Sequence, residues 1–166
     1  TAEMTYLYPQ VLTETVGTIY VDCVQVEVVP TASRYNLLDY GDFWGEHEVM
    51  PAWKKSSAMT TSDDTIEYSG YLAAPHMEVS AFRIIGDPTA EKYVTQTINQ
   101  SGVDGDCYVF SGWANGNSVP LYSTGSATRE FCLKLIFNNN DGSKTTFCAP
   151  FNPTIKAGDT WQYTAA

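Results

Sequence analysis

The sequence predicts an all-β sandwich or barrel, and three observations carry that prediction. Hydrophobic residues alternate with a period of two in several separate segments. Clusters of Gly, Asn, Asp and Pro stand between those segments as turn signals. No stretch shows the 3.6-residue period of an amphipathic helix. At 166 residues the chain has the length of one domain with a sizeable core.

The first expected strand covers residues 17–29, where β-branched residues crowd together (Thr18-Ile19-Tyr20-Val21, then Val24, Val26, Val28 and Val29). Val79 to Ile85 form a second, stopped by Gly86-Asp87-Pro88. Lys92 to Asn99 and Cys107 to Ala114 form two more, separated by a loop over 100–106. Phe131, Leu133, Leu135 and Phe137 then occupy every second position, which places them on one face of a strand. The turn cluster Asn138 to Ser143 contains Asp141-Gly142, and Lys144 to Phe151 resumes the strand pattern. Residues 131–151 are therefore expected to form a β-hairpin. The polar stretch 54–64 and the stretch from Asn115 to Thr128 are expected as loops, where a sandwich usually carries its binding residues.

Composition removes several functions. The chain holds 9 Lys+Arg against 19 Asp+Glu, a net charge of −10. Nucleic acid needs clustered cations, and so does an anionic membrane surface, so neither partner is expected. Hydrophobic residues at 43% and aromatics at 13% exclude a disordered chain. No apolar run reaches the ~18 residues of a membrane span, so direct membrane insertion is not expected either. No signal peptide heads the chain, and the segment reads as a domain cut from something longer.

Enzyme signals are sparse. His47 and His76 are the only histidines, both in stretches that read as loop, and no Gly-x-Ser-x-Gly motif is present. Glu46, Glu48, Asp63, Asp64 and Glu67 could be paired only by a cleft that the sequence does not reveal, so they are expected as solvated loop charges. The four cysteines fit no CxxC spacing, which argues against zinc. Cys23, Cys107 and Cys132 fall in expected strands, where a thiol serves as a small apolar group. Cys132 and Cys148 lie nearly opposite each other in the hairpin. They form either a cross-strand disulfide or two reduced thiols, and the geometric demands of such a bridge favour the reduced form.

Several strings together resemble a known family. Ser33-Arg34-Tyr35-Asn36-Leu37-Leu38 followed by Gly41-Asp42-Phe43 resembles the "NLL-x-NGDFE" opening of carbohydrate-binding-like jelly-roll modules. Such modules occur in bacterial wall-associated proteins with RHS/YD repeats and in many glycanases. Ala52-Trp53 is similar to the "pgW" that follows, and Tyr93 to Ile98 to the strand before the loop. Cys107-Tyr108-Val109-Phe110-Ser111-Gly112-Trp113-Ala114 resembles the "YTFSGWAKA" strand, and Asn138 to Ser143 and Gly158-Asp159-Thr160-Trp161 fit the same branch. The resemblance spans residues 33–163 and implies an antiparallel β-sandwich of jelly-roll type with little or no helix.

Residues 17–27 resemble the last strand of such a module, "yvDnvQLE", yet they precede the opening motif. A tandem array accounts for this: residues 1–32 are the tail of one repeat, and 33–166 the next repeat without its own last strands. A sandwich missing an interior strand exposes two unpaired edges. Residues 17–29 are therefore expected to fill the vacant slot in cis, antiparallel to a strand starting near Leu37, so a monomer is favoured over a strand-swapped dimer.

The resemblance also implies a structural calcium ion between the first and last strands, with Asp22 and Asp42 as the matching carboxylates; the family's Glu in the opening motif is here Trp44. Sugar binding by this architecture rests on aromatic platforms flanked by amides and carboxylates. The candidate rings are Trp44, Trp53, Tyr68, Tyr71, Trp113 and Tyr122. Phe110 and Trp113 fall on opposite faces of their strand, so an inward Phe110 turns Trp113 outward, with Asn115, Asn117 and Arg129 close enough to flank it. The alternative for these rings is packing, with Trp53 and Trp161 at the sandwich ends and Trp113 under the 115–128 loop. The expected function is a non-catalytic, glycan-binding module of an extracellular or bacterial cell-surface protein. A structural spacer or adhesion repeat that binds no sugar is the alternative, and a hydrolase is the weakest third.

Overall fold

A computed structural model describes residues 4–13, 18–29, 36–43, 52–67, 80–103, 105–117, 119, 130–152 and 161–166. Ten strands run through them: β1 (Met4–Thr13), β2 (Thr18–Val29), β3 (Lys54–Lys55), β4 (Asp64–Glu67), β5 (Ser80–Ile85), β6 (Lys92–Thr95), β7 (Cys107–Asn117), β8 (Phe131–Asn139), β9 (Lys144–Pro150) and β10 (Gln162–Ala165). They form two five-stranded sheets, ordered β3-β6-β1-β8-β9 and β10-β7-β2-β5-β4. Every pairing is antiparallel, and no helix occurs among the described residues. The chain is an all-β sandwich.

Strand alternation puts one hydrophobic set of each sheet between the layers. From the first sheet come Leu7, Val11, Val94, Leu133 and Leu135; from the second come Ile19, Val21, Val26, Phe82, Ile84 and Phe110. All are buried, and side chains of this size contribute about 1.5–3 kcal/mol each on burial. The 131–151 hairpin lies where it was expected, with Leu135 opposite Phe147 and the turn closed by Asn139 N donating to Ser143 O at 3.0 Å.

β2 holds the centre of the second sheet, between β5 and β7 of the same chain. Its pairing with β7 jumps from Asp22↔Trp113 to Gln25↔Ser111, so β2 carries one extra residue there. This bulge changes the inward set from Ile19 and Val21 to Val24 and Val26. β5 follows β2 only through Val21↔Phe82. Beyond that point the 36–43 segment takes over, and it is turn-rich backbone where a strand near Leu37 was expected. Val24 N donates to Gly41 O at 2.8 Å, and Leu37 N to Val26 O at 2.8 Å. Between them the Asn36 carboxamide imitates a strand: Oδ1 accepts from Val26 N at 3.0 Å and from Leu38 N at 3.0 Å, while Nδ2 donates to Val24 O at 2.9 Å.

The rest of that segment anchors the core. Tyr40 and Phe43 have φ of 53° and 52°, a left-handed conformation that ordinary residues adopt only when their surroundings hold them there. Phe43 is fully buried between Trp53 and Phe82, with ring centroids 5.2 and 5.8 Å away. The Trp53 indole N–H reaches Asp39 O at 3.1 Å and Tyr40 O at 3.2 Å. Gln96 clamps the same turn: its Oε1 accepts from Asp39 N, and its Nε2 donates to Asp39 O, both at 2.9 Å.

Three loop expectations are corrected. The 54–64 stretch is not one loop, since it contains β3 and the first residue of β4. Asp63 within it is not a solvated charge. It is completely buried, as is nearly all of Lys92, and Lys92 Nζ lies 2.9 Å from Asp63 Oδ2. Thr60 N (2.8 Å) and Thr60 Oγ1 (3.1 Å) also donate to Oδ2, and Ile85 N donates to Oδ1 at 2.7 Å. The carboxylate therefore ties the β3–β4 connection to β6 in one sheet and β5 in the other. Asn115 to Asn117 likewise continue β7 and are not loop.

Candidate functional site

The outer face of the second sheet carries the exposed Tyr163 ring, the half-buried Trp113 and the Asn115 amide. Phe110 points inward and is buried, so the odd positions of β7 face out. Trp113 lies on that outer face and is half-buried. Its register partners are Tyr163 on β10 and Asp22 on β2. The Trp113 and Tyr163 rings stand 5.2 Å apart at 52°, and Tyr163 is 54% exposed. A tilted pair of this kind offers apolar surface to the C–H face of a flat or chair-shaped ligand and leaves the phenol hydroxyl at its rim.

Asn115 lies two residues further along β7, a step of about 6.8 Å in an extended strand. It pairs in register with Tyr20 on β2, which in turn pairs with Arg83 on β5. Asn115 is 4% exposed, and its Nδ2 has no hydrogen-bond partner among the described residues. Leaving a buried donor unmet costs about 1–3 kcal/mol, and this Nδ2, closed to solvent, meets a ligand atom only if its cover moves aside. At the other end of the row, Arg83 donates from Nε (3.1 Å) and Nη2 (2.9 Å) to Ser62 O, which fixes the guanidinium against the β3–β4 connection.

No family model, curated protein or solved structure matches this chain. The site is therefore argued from its own geometry.

Of the residues expected from the sequence, the sheet brings Trp113 and Asn115 onto one face. Asn117 ends β7 in the same strand and Asp22 lies in β2, with only their backbones described. Trp53, expected among the platform rings, is buried against Phe43 and offers no ring to solvent. Trp44, Tyr68, Tyr71, Tyr122 and Arg129 lie outside the described residues, as do His47, His76, Glu46 and Glu48. Tyr163 and Tyr20 were missed. Tyr20 was legible as the residue between inward Ile19 and Val21, whereas Tyr163 lies on a four-residue strand too short to show a period.

For a calcium ion, the backbone places Gly41, and hence the Asp42 segment, beside Val24 at the β2 bulge that follows Asp22. Asp42 is exposed. Among the described residues no three His, Cys, Asp or Glu side chains gather into a metal-binding group. Calcium takes six to eight oxygens, so the remainder at this position would come from backbone carbonyls and water.

The thiols divide by environment. Cys132 is buried on the outer face of the first sheet, beside Leu12 in register, whereas Cys107 and Cys148 are exposed. The expectation that Cys107 would act as a small buried apolar residue is therefore corrected.

Proposed function

We propose that this chain is a non-catalytic, glycan-binding module of jelly-roll type, belonging to an extracellular or bacterial cell-surface protein built from tandem repeats. The observation that carries the reading is the Trp113–Tyr163 ring pair beside Asn115, whose buried Nδ2 lacks an acceptor. A pyranose laid on the rings would reach that amide only once the cover over its Nδ2 is displaced. Tyr20 and Arg83 extend the row toward a second sugar unit.

A glycan array followed by calorimetry tests the reading. Trp113→Ala and Tyr163→Ala should each weaken binding at least about tenfold, the loss of roughly 1.4 kcal/mol of ring contact, with Tyr163→Ala, at an exposed position, leaving the unfolding temperature nearly unchanged. Binding that survives both substitutions would displace the site, and failure of every glycan would leave the spacer reading. A calcium ion at Asp22 and Asp42 belongs to the same proposal. Its measure is a rise in unfolding temperature with calcium that a chelator reverses.

One observation is shared with the spacer or adhesion repeat. Asn36, Leu38, Gly41, Phe43, Trp53 and Gln96, from the strings that carry the family resemblance, all serve packing or backbone pairing. They support the scaffold and are neutral on sugar.

A further inference from the structure

The β8–β9 hairpin places two thiols diagonally across one face. Cys132 pairs in register with Pro150, and Cys148 with Lys134. Phe151 N donates to Phe131 O, and Asn139 N to Ser143 O, which makes the odd positions of β8 the hydrogen-bonded pairs. Cys132↔Pro150 and Lys134↔Cys148 are therefore non-hydrogen-bonded pairs, where facing side chains stand closest. Pro150 suits this place, because the N–H it lacks would point away from β8 at the sheet edge.

Right-handed twist rotates β9 against β8, shortening one diagonal between such pairs and lengthening the other. An average diagonal separates Cα atoms by about 7–8 Å, just beyond the roughly 6.8 Å reach of a disulfide. Cys132 and Cys148 lie on the shortened diagonal, from a first-strand residue to the residue two before its partner. The two thiols interact: burial, together with the neighbouring Cys148 sulfur, pushes the Cys132 thiol well above its ordinary range. Leu12, opposite Cys132 on β1, is also fully buried, which leaves Cys132 an apolar flank.

We propose that Cys132 and Cys148 form a reversible disulfide that staples edge strand β9 to β8, with Cys148 as the attacking thiol and Cys132 as the resolving one. The exposure of each assigns its role. Cys148 is open to solvent and meets the oxidant; Cys132 is 1% exposed and reacts only with its neighbour. The oxidant is a low-molecular-weight disulfide. The Cys148 thiolate attacks one of its sulfurs, forming a mixed disulfide and releasing one thiolate. Cys132 then loses its proton and attacks the Cys148 sulfur, expelling the second thiolate. Two protein thiols are oxidised by two electrons, and one small disulfide becomes two small thiols.

The test uses the whole chain, reduced and then incubated with glutathione disulfide, quenched by acid and a maleimide, and mapped by mass spectrometry. Before oxidation, the maleimide should label Cys148 in the folded protein about tenfold or more faster than Cys132. After oxidation, a Cys132–Cys148 linked peptide, two hydrogens lighter and released by phosphine, should appear in the wild type and in Cys107→Ser. Cys148→Ser alters an exposed position, so it should fold, form no link and yield Cys132 as a free thiol on unfolding. Glutathione persisting on Cys148 while Cys132 stays reduced would overturn the proposal. So would Cys148 linked to another cysteine, or both thiols remaining unoxidised.

Discussion

Replacing Asp63 with Asn should be among the most damaging single polar substitutions in the chain. The Asp63 carboxylate accepts from Ile85 N, Thr60 N, Thr60 Oγ1 and the Lys92 ammonium, and both charged residues are shut away from water. Asn keeps one acceptor oxygen for Ile85 N, but it turns an N–H₂ toward Thr60 N and Lys92 Nζ, two donors. Lys92 is then a buried cation with no counter-charge. Removing one partner of a buried ion pair costs about 3–5 kcal/mol. In a domain of this size each kcal/mol moves the unfolding temperature by about 2–4 °C, so the expected fall is about 6–20 °C. Asp64→Asn is the control. Its contact with Lys55, 3.2 Å long, is partly exposed and should contribute less than about 1 kcal/mol. Urea unfolding of both variants measures the difference. If Asp63→Asn costs no more than Asp64→Asn, the carboxylate does not join the sheets as described.

The same group sets an acid limit. Burial raises the Asp63 carboxyl, but the donors from Thr60, Lys92 and Ile85 lower it by more, and the net shift is downward. A depressed folded value means the carboxylate stabilises the fold fully above the unfolded value of about 3.9, and the contribution is lost as pH falls through the folded value. Wild type should therefore lose stability more steeply than Asp63→Asn below about pH 4.

Further expectations follow from the outer sheet face and the 36–43 turn. Asn36→Ala removes two hydrogen bonds to β2 and one to Leu38 N within the turn, and urea titration should register a loss of about 2–3 kcal/mol. Gly41→Ala would drive a methyl group into the Val24 carbonyl oxygen and within 2.6 Å of Asn36 Nδ2; calorimetry should show destabilisation of about 1–3 kcal/mol, and an unchanged unfolding temperature would mean the turn packs elsewhere. Asn115→Ala deletes an unpartnered buried donor, so thermal unfolding should show unchanged or raised stability while any glycan affinity falls.

The sequence revealed those parts of the fold that local pattern controls. The 131–151 hairpin was legible because Leu133 and Leu135 alternate cleanly and Asp141-Gly142 marks its turn; Gly142 indeed has φ of 82°. β1 was hidden by Pro9 in mid-strand. That proline is tolerated because the β1–β6 ladder stops at Gln10↔Thr95 and resumes only at the isolated Leu7↔Ile98 bridge. β3 and β4 are too short to show a period, and the β2 bulge shifts the phase of an otherwise readable strand. Asp63 looked like a loop charge because its partners, Lys92 and Ile85, are more than twenty residues away. Trp113 was readable from its parity with Phe110. Tyr163 was not, since its strand is four residues long.

What separates a glycan-binding module from a spacer is which residues packing explains. Phe43 and Trp53 fill the core, Asn36 and Gln96 complete backbone hydrogen bonds, and Gly41 lies against Val24. A scaffold alone requires all of these. It does not require an exposed Tyr163 ring tilted against a half-buried Trp113, nor an Asn115 amide buried beside them without an acceptor. Val or Thr would suit the Asn115 position of a strand better, by β propensity and by avoiding the unmet donor. A buried donor without an acceptor beside an exposed tyrosine ring is the feature of this face that packing leaves unexplained. Under the spacer reading Asn115→Ala changes stability alone; under the proposed glycan reading it also lowers affinity, and the pair of measurements distinguishes them.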